Sequence, residues 1–314
     1  MRTLNERRSI VIRFIIKRVL SAILTLFIIC TLTFFMMNMI PGGPFQSERT
    51  TEKILQITNE KYGLDKPIIT QYKNYMLRLL QGDMGDSYKR KGFTVSQIIA
   101  EKFPVSARLG AVAITASVLA GVTLGCAAAV KRNKLIDRFI MFFCTFGVAV
   151  PSFVVGTLLK YVFGVWLHVL PTLGLKTPLH YIMPAFALSL QPMSYIARLL
   201  RSNMLDIIDQ DYIKTARAKG LSRNIVVFKH ALRNSILPII TYLGPMTAYI
   251  LVGGAVTEMI FSIPGLGKYF VETVLNRDYT MIMGTTIFLA LLIIAANCIV
   301  DIVYRFVDPR ISLE

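Results

Sequence analysis

The sequence predicts an all-α membrane protein: six transmembrane helices, with a helical extracytoplasmic insertion between spans 1 and 2. Three observations carry this. The chain of 314 residues is 54% hydrophobic, with a mean hydropathy of +0.57, whereas a soluble domain needs more polar surface than that allows. The apolar residues gather into six uncharged runs, each of about 20 residues or more, enough helix to cross a hydrocarbon core. None of the runs alternates with period two. That argues against a closed barrel, the only other form that satisfies every backbone polar group in lipid.

In chain order, residues 1–18 form a basic cytoplasmic N-terminus. The run Val19–Ser47 follows, with a helix expected over 19–40. Basic residues ahead of an apolar stretch also suit a signal peptide. This run is too long for a typical apolar region of one, and it ends in MNMIPGGP without a small-x-small cleavage site, so an uncleaved anchor is expected. Residues 41–106 form the insertion. SERTTEKILQITNEKYGL reads as one helix, capped by Ser47 and ended by Gly63; KPIITQYKNYMLRLLQGD reads as a second, with Pro67 near its start and Gly82 past its end. Their periodicity favours a small helical cap over the outer mouth; a docking surface for whatever delivers substrate is the functional alternative.

The remaining spans come from Leu109–Val130, Phe139–Leu159, Thr177–Ala197, Asn234–Thr257 and Tyr279–Val300, with helices expected over about 109–130, 139–160, 178–198, 235–257 and 279–301. Gly121 and Gly125 form a GxxxG in the second span. Pro151 breaks the third, Pro184 and Pro192 lie in the fourth, and Pro238 and Pro245 lie in the fifth. Such residues suit close packing in lipid and equally suit a mobile pore-lining bundle. Between spans five and six, Phe261–Asn276 reads as a re-entrant or gating helix, and residues 306–314 as a cytoplasmic C-terminus.

The net charge of +17 follows topology instead of forming a nucleic-acid patch. Basic residues crowd the N-terminus, the KRNKLIDR loop and Arg198–Arg233, while the short intervening loops are poor in them. The positive-inside rule then puts both termini in the cytoplasm; the basic insertion is long enough to translocate regardless of charge. Cys30, Cys126, Cys144 and Cys298 lie inside apolar runs and read as small hydrophobes, not disulfides or ligands.

Enzyme chemistry has little support. The sequence has no G-x-x-x-x-G-K-[ST], no HExxH and no GxSxG, and GLGKY at Gly265–Tyr269 lacks the upstream glycine and the Ser/Thr. His168, His180 and His230 are dispersed, so neither catalytic residues nor a metal site are expected. Lys160, Glu258 and Asp301 lie near the ends of runs, leaving no midspan carboxylate. An ion-coupled carrier usually needs one. Energy for pumping is therefore expected from elsewhere.

The segment DYIKTARAKGLSRNIVVFKHALRN, Asp211–Asn234, sits between two apolar runs. Asp209 or Asp211 can cap a short helix through Lys219, and Gly220 fits the left-handed position past a helix end. Ser222 can cap a second helix with Ile225, Phe228 and Leu232 on one stripe and Arg223, Lys229 and Arg233 elsewhere. A basic loop lying on anionic headgroups would explain the charge. It would not explain helix–glycine–helix, with small Ala216 and Ala218 before the turn. That pattern suits a knob inserted into a partner's groove.

These residues resemble the coupling loop of permease subunits of the peptide and nickel ABC importers. The wider superfamily motif is EAA, three residues, Gly, nine residues, then I-x-L-P. With Gly220 fixing the register, Lys214-Thr215-Ala216 and His230-Ala231-Leu232-Arg233 stand in those places, so the glutamate and the proline are replaced. The peptide branch shows RTARAKGL and RHALRN, which KTARAKGL and KHALRN match closely. PGGPF, KYGLDKPIITQY, GDMGDSY, FPVSARLG, VPSFVVG, PGLG, NRDY and DPRI also resemble that branch, in order, along nearly the whole chain. PGGPF with FPVSA is closer to the oligopeptide permeases than to the dipeptide or nickel ones.

The resemblance implies a type I ABC importer permease fold in a bacterial plasma (inner) membrane. It implies a heterodimer with a second homologous permease subunit, two cytoplasmic P-loop ATPase subunits, an extracytoplasmic substrate-binding protein and a peptide substrate. The chain itself would bind no cofactor, ATP and Mg residing in the partners; it would contact lipid but not nucleic acid. Transport would proceed by alternating access. The coupling residues would be Tyr212, Thr215, Ala216, Arg217, Ala218, Lys219, Gly220 and Leu221, and the candidate translocation path Pro245, Tyr249, Gly253 and Gly254. Dipeptide, nickel or haem import is the alternative within the family. Outside it stand an ion-coupled secondary transporter, a membrane scaffold and an intramembrane enzyme.

Overall fold

The computed structural model describes the backbone of residues 4–46 and 51–307, and side-chain surroundings over 16–46, 51–251, 254–300 and 302. The expected Ser47 cap, the DPRI motif and most of 306–314 lie outside the described residues. Regular structure among the described residues is helical, with a lone bridge between Asp86 and Thr94. The helices are α1 (Leu4–Asn38), α2 (Glu52–Tyr62), α3 (Ile68–Leu80), α4 (Val95–Val130), α5 (Leu135–Ala149), α6 (Ser152–Leu159), α7 (Leu179–Ile208), α8 (Asp211–Ala218), α9 (Arg233–Ser235), α10 (Leu237–Ile260), α11 (Leu266–Leu275) and α12 (Tyr279–Val307). Two π-helical stretches, Lys160–Trp166 and Ile225–Leu232, continue α6 and precede α9.

The described residues fall into two compact units: Met1–Pro104 with Tyr269–Ile294, and Val105–Lys268 with the start of Ala295–Ser312. In the first, α2 and α3 stand where the two helices of the insertion are expected. Thr51 precedes α2, and Gly63 ends it at φ 68°. Cys30, Phe34 and Met37 of α1 pack with Tyr279, Met283 and Ile287 of α12. Buried Asp278 caps α12. Its carboxylate accepts from Ser87 Oγ at 2.5 Å, Tyr88 N at 3.1 Å and Met281 N at 3.3 Å, tying the 87–88 loop to the helix start.

The second unit is built around α7. Met183, Leu188, Ile196, Leu200 and Met204 are all at most 1% exposed. The GxxxG of α4 packs on this helix. A Cβ on Gly121 would lie 2.8 Å from Ile196, and one on Gly125 would lie 2.7 Å from the Ala197 carbonyl oxygen. Of the two expectations for these glycines, close packing holds. In the first turn of α5, Asp137 is buried and takes Arg201 in a two-pronged ion pair, Nε to Oδ1 at 2.6 Å and Nη2 to Oδ2 at 2.7 Å.

Among the described residues, four helices are long and apolar enough to cross a membrane: Ile16–Asn38, Val95–Val130, Leu237–Ile260 and Tyr279–Val300. A fifth crossing is available if Leu135–Ala149 and Ser152–Trp166 are taken as one span bent by 104°. The third span, expected over 139–160 with a break at Pro151, is two helices parted at that residue, which lacks an N–H. The expected fourth span, 178–198, lies within α7, which runs on to Ile208 and does not meet the same test of apolarity. Ser189, Gln191, Ser194, Arg198 and Arg201 lower its hydropathy; a helix enclosed by others needs no lipid-like surface. The second span begins at Val95, well before the expected 109, and carries Pro104 inside it.

Candidate functional site

The basic segment after α7 folds as a helix, a left-handed turn and a second helix. α8 ends at Ala218, with Lys219 as its C-cap. Gly220 sits at φ +78°, its N–H bonded to Arg217 O at 3.0 Å, and Leu221 N bonds to Ala216 O at 3.3 Å. These are the paired bonds of a Schellman turn, which demands a left-handed residue. A Cβ on Gly220 would meet nothing within 4 Å, so backbone strain, not crowding, reserves the position for glycine.

Two capping expectations are corrected. Gln210 precedes α8 in extended conformation, and neither Asp209 nor Asp211 caps it; Asp209 closes α7, and Asp211 is the first residue of α8, where its charge favours the helix N-terminus. The second helix is wound differently from the α-helix expected. Its π winding, i to i+5, puts Val226, Val227 and Ala231 inside and leaves Ile225 and Phe228 exposed. An α-helical period puts Ile225, Phe228 and Leu232 on one stripe; Leu232 is half-buried.

Of the expected coupling residues, Ala216 is buried with Ile213 and Val226 under the turn. Tyr212, Thr215, Arg217, Ala218, Lys219, Gly220 and Leu221 are exposed. Tyr212, Leu221, Ile225 and Phe228 therefore offer apolar surface among Lys214, Arg217 and Lys219. Asn234 Nδ2 donates to the Tyr212 hydroxyl at 2.9 Å and Arg223 Nη2 to Val130 O at 3.1 Å, fastening both ends of the segment. Asn234 and Arg223 were visible in the sequence only as polar residues.

The candidate path residues are less unified. Pro245 is exposed inside α10. The Tyr249 hydroxyl donates to Gln191 Oε1 at 2.6 Å, and Tyr195 and Tyr242 rings lie 4.3 Å apart nearby in the same helix pair, α7 and α10. Sequence reasoning missed Gln191, Tyr195 and Tyr242; a polar Gln191 midway along an apolar run was the available signal. Gly254 is buried, yet a Cβ there would meet nothing within 4 Å, so close packing does not require it. The surroundings of Gly253 lie outside the described residues.

Glu258 and Lys160 are both engaged. Glu258, 1% exposed, accepts from Ser106 Oγ at 2.5 Å and Lys268 N at 2.8 Å; Ser106 Oγ in turn accepts from Leu266 N at 2.8 Å. The carboxylate thus caps the start of α11, where helix N–H groups favour an anion. Lys160 Nζ donates to Ile260 O at 2.5 Å. The side chain of Asp301 lies outside the described residues. The segment expected as a re-entrant or gating helix contains α11, preceded by a turn that buries Phe261 and Ile263.

Comparison with known proteins bears on this arrangement. Residues 121–313 match the family described as the binding-protein-dependent transport system inner membrane component, and residues 11–110 match its N-terminal companion. The chain is 44% identical over 303 residues to the dipeptide transport system permease protein DppB of Bacillus subtilis, covering 96% of this chain and 98% of that protein. It is 43% identical over 306 residues to the oligopeptide transport system permease protein OppB of Salmonella typhimurium, covering 96% and 99%. Among solved structures, the MetNI methionine ABC transporter in an inward-facing form superposes with a TM-score of 0.55 at 15% identity, over 67% of this chain and 96% of that one. An amino acid ABC transporter gives 0.51 at 16%, over 69% and 95%. At such identities these two speak for the fold alone.

Proposed function

The chain belongs to the binding-protein-dependent transport system inner membrane component family, and on that premise we propose that it is the multi-pass permease subunit of an ATP-driven ABC importer of peptides, oligopeptides foremost. It carries no ATPase site of its own. Two cytoplasmic P-loop ATPases hydrolyse ATP and hold Mg, a second homologous permease completes the membrane pore, and an extracytoplasmic binding protein delivers the peptide. The similarity to both a dipeptide and an oligopeptide permease supports the cargo class.

The observation that carries this reading is the exposed helix–Gly220–helix knob. Its apolar tips and cations suit insertion into a groove on an ATPase subunit, with Tyr212, Thr215, Ala216, Arg217, Ala218, Lys219, Gly220 and Leu221 as the coupling residues. ATP binding draws the ATPases together, the knob moves with them, and the bundle changes its open side; ATP must therefore interact differently with the two states. The path runs along α10 past Pro245, Tyr249, Gly253 and Gly254. Six crossings result if the bent pair counts as one and α7 as another. Residues 41–106 then face outward, both termini face the cytoplasm, and the membrane is a bacterial plasma membrane; the distribution of Lys and Arg supports that orientation.

The test is co-purification of the tagged chain from its native membrane, followed by reconstitution. Recovery of a second permease and P-loop ATPases, with ATP-dependent peptide uptake, is the expected result. Recovery of this chain alone, with uptake that runs on an ion gradient, would sink the reading.

A further inference from the structure

Within the unit of Met1–Pro104 and Tyr269–Ile294, a cavity of about 360 Å³ lies between α1, α2, α3, the 83–88 loop and the start of α12. That volume is near the lower end for small-ligand sites. Phe34, Tyr62, Tyr88 and Met283 give it aromatic and thioether walls. Glu60 and Asp83 line it together with Lys66 and Arg78; all four are exposed, and none forms an ion pair in the described structure. Both signs of charge are thus available at its solvent-facing rim. Inside, the Tyr75 hydroxyl oxygen is buried and has no hydrogen-bond partner. An unmatched buried hydroxyl is unfavourable, and a ligand oxygen would satisfy it. Burial pushes the Tyr88 hydroxyl up to about 12 and raises that of Tyr75 further, so both remain protonated donors at physiological pH.

We propose that this cavity is a receiving subsite for one terminal residue of a peptide. Its apolar or aromatic side chain lies against the wall of Phe34, Tyr62, Tyr88 and Met283, its terminal charge meets the opposite charge at the rim, and a carbonyl or carboxylate oxygen accepts from the Tyr75 hydroxyl. A purely anionic or cationic ligand would leave half of the rim uncompensated; a zwitterionic one does not. A long chain would not fit the volume, whereas one residue does. The assignment rests on the peptide-importer reading above.

The experiment uses the complete importer in proteoliposomes and a benzophenone-bearing tripeptide, competed by unlabelled Phe-Ala-Phe. Photocross-linking to residues 60–88 is expected. Tyr75→Phe removes only the unpaired hydroxyl: the half-competing concentration should rise about tenfold, as for loss of a hydrogen bond to a charged group, with the thermal midpoint unchanged. Asn74→Trp, at an exposed position lining the same space, should abolish the cross-link by filling it. ATP-driven uptake of Phe-Ala-Phe by the wild type, with no cross-link in 60–88 or with both variants cross-linking like wild type, would overturn the subsite and leave the importer reading intact. Absence of peptide uptake by the wild type would overturn both.

Discussion

Ser106 and Glu258 form one linked cap: the serine hydroxyl donates to Glu258 Oε1 at 2.5 Å and accepts from Leu266 N at 2.8 Å, while Oε2 takes Lys268 N at 2.8 Å. A buried carboxylate in an apolar helix is where a proton-coupled carrier would be sought. Here its oxygens are occupied by donors that hold the start of α11. Glu258→Gln should therefore leave ATP-driven peptide uptake insensitive to collapse of the pH gradient, as in the wild type. Glu258→Ala strands those donors and should lower stability by about 2–3 kcal/mol. Uptake measured in ATP-loaded proteoliposomes with and without an uncoupler checks the first; thermal unfolding in detergent checks the second.

Asp278 serves the first unit in the same way. Asp278→Ala leaves Ser87 Oγ and the Tyr88 and Met281 N–H groups without their acceptor. A loss of about 3 kcal/mol or more is expected, read as a lowered thermal midpoint. Asp278→Asn, which retains one acceptor oxygen, should lose less.

The Asp137–Arg201 pair should behave as a buried ion pair. Arg201→Ala is expected to cost about 3 kcal/mol or more, because it leaves the buried Asp137 carboxylate uncompensated, and Asp137→Ala less, because the Arg201 side chain is 25% exposed to water. The double substitution Asp137→Leu with Arg201→Met should be milder than either single one. A double-mutant cycle on thermal stability measures the coupling, and additive single effects would contradict it.

The glycines of α4 and α10 should part company. Gly121→Ala and Gly125→Ala place a Cβ within 2.8 Å of α7 atoms, so each should reduce stability and expression in the membrane. Gly254→Ala meets nothing within 4 Å and should leave both unchanged. A Gly254→Ala variant as unstable as Gly121→Ala would show that α10 has a close neighbour at that position.

The sequence made some of these features legible and hid others for physical reasons. Helices α2 and α3, the Schellman turn at Gly220 and the break at Pro151 were all readable, since each rests on local backbone rules. The face of the second knob helix was not. A 3.6-residue period puts Ile225, Phe228 and Leu232 on one stripe but does not say which face is buried, and the π-wound helix buries Val226, Val227 and Ala231. Helix α7 was readable as a helix from its uncharged run; enclosed by its neighbours, it can carry more polar residues than the four helices apolar enough to cross a membrane. Glu258, Asp278 and Arg201 each take a partner far away in sequence, Ser106, Ser87 and Asp137, which no local pattern encodes.

The central claim is that the Gly220 knob transmits ATP hydrolysis to transport. The most direct measurement is the ratio of peptide imported to ATP hydrolysed by the reconstituted importer carrying Gly220→Val or Gly220→Asn. A β-branched residue at φ +78° is strained, while asparagine tolerates that region. The account predicts that valine lowers the ratio by about tenfold or more, with membrane insertion intact, and that asparagine retains most of it. A wild-type ratio in Gly220→Val would contradict the coupling role.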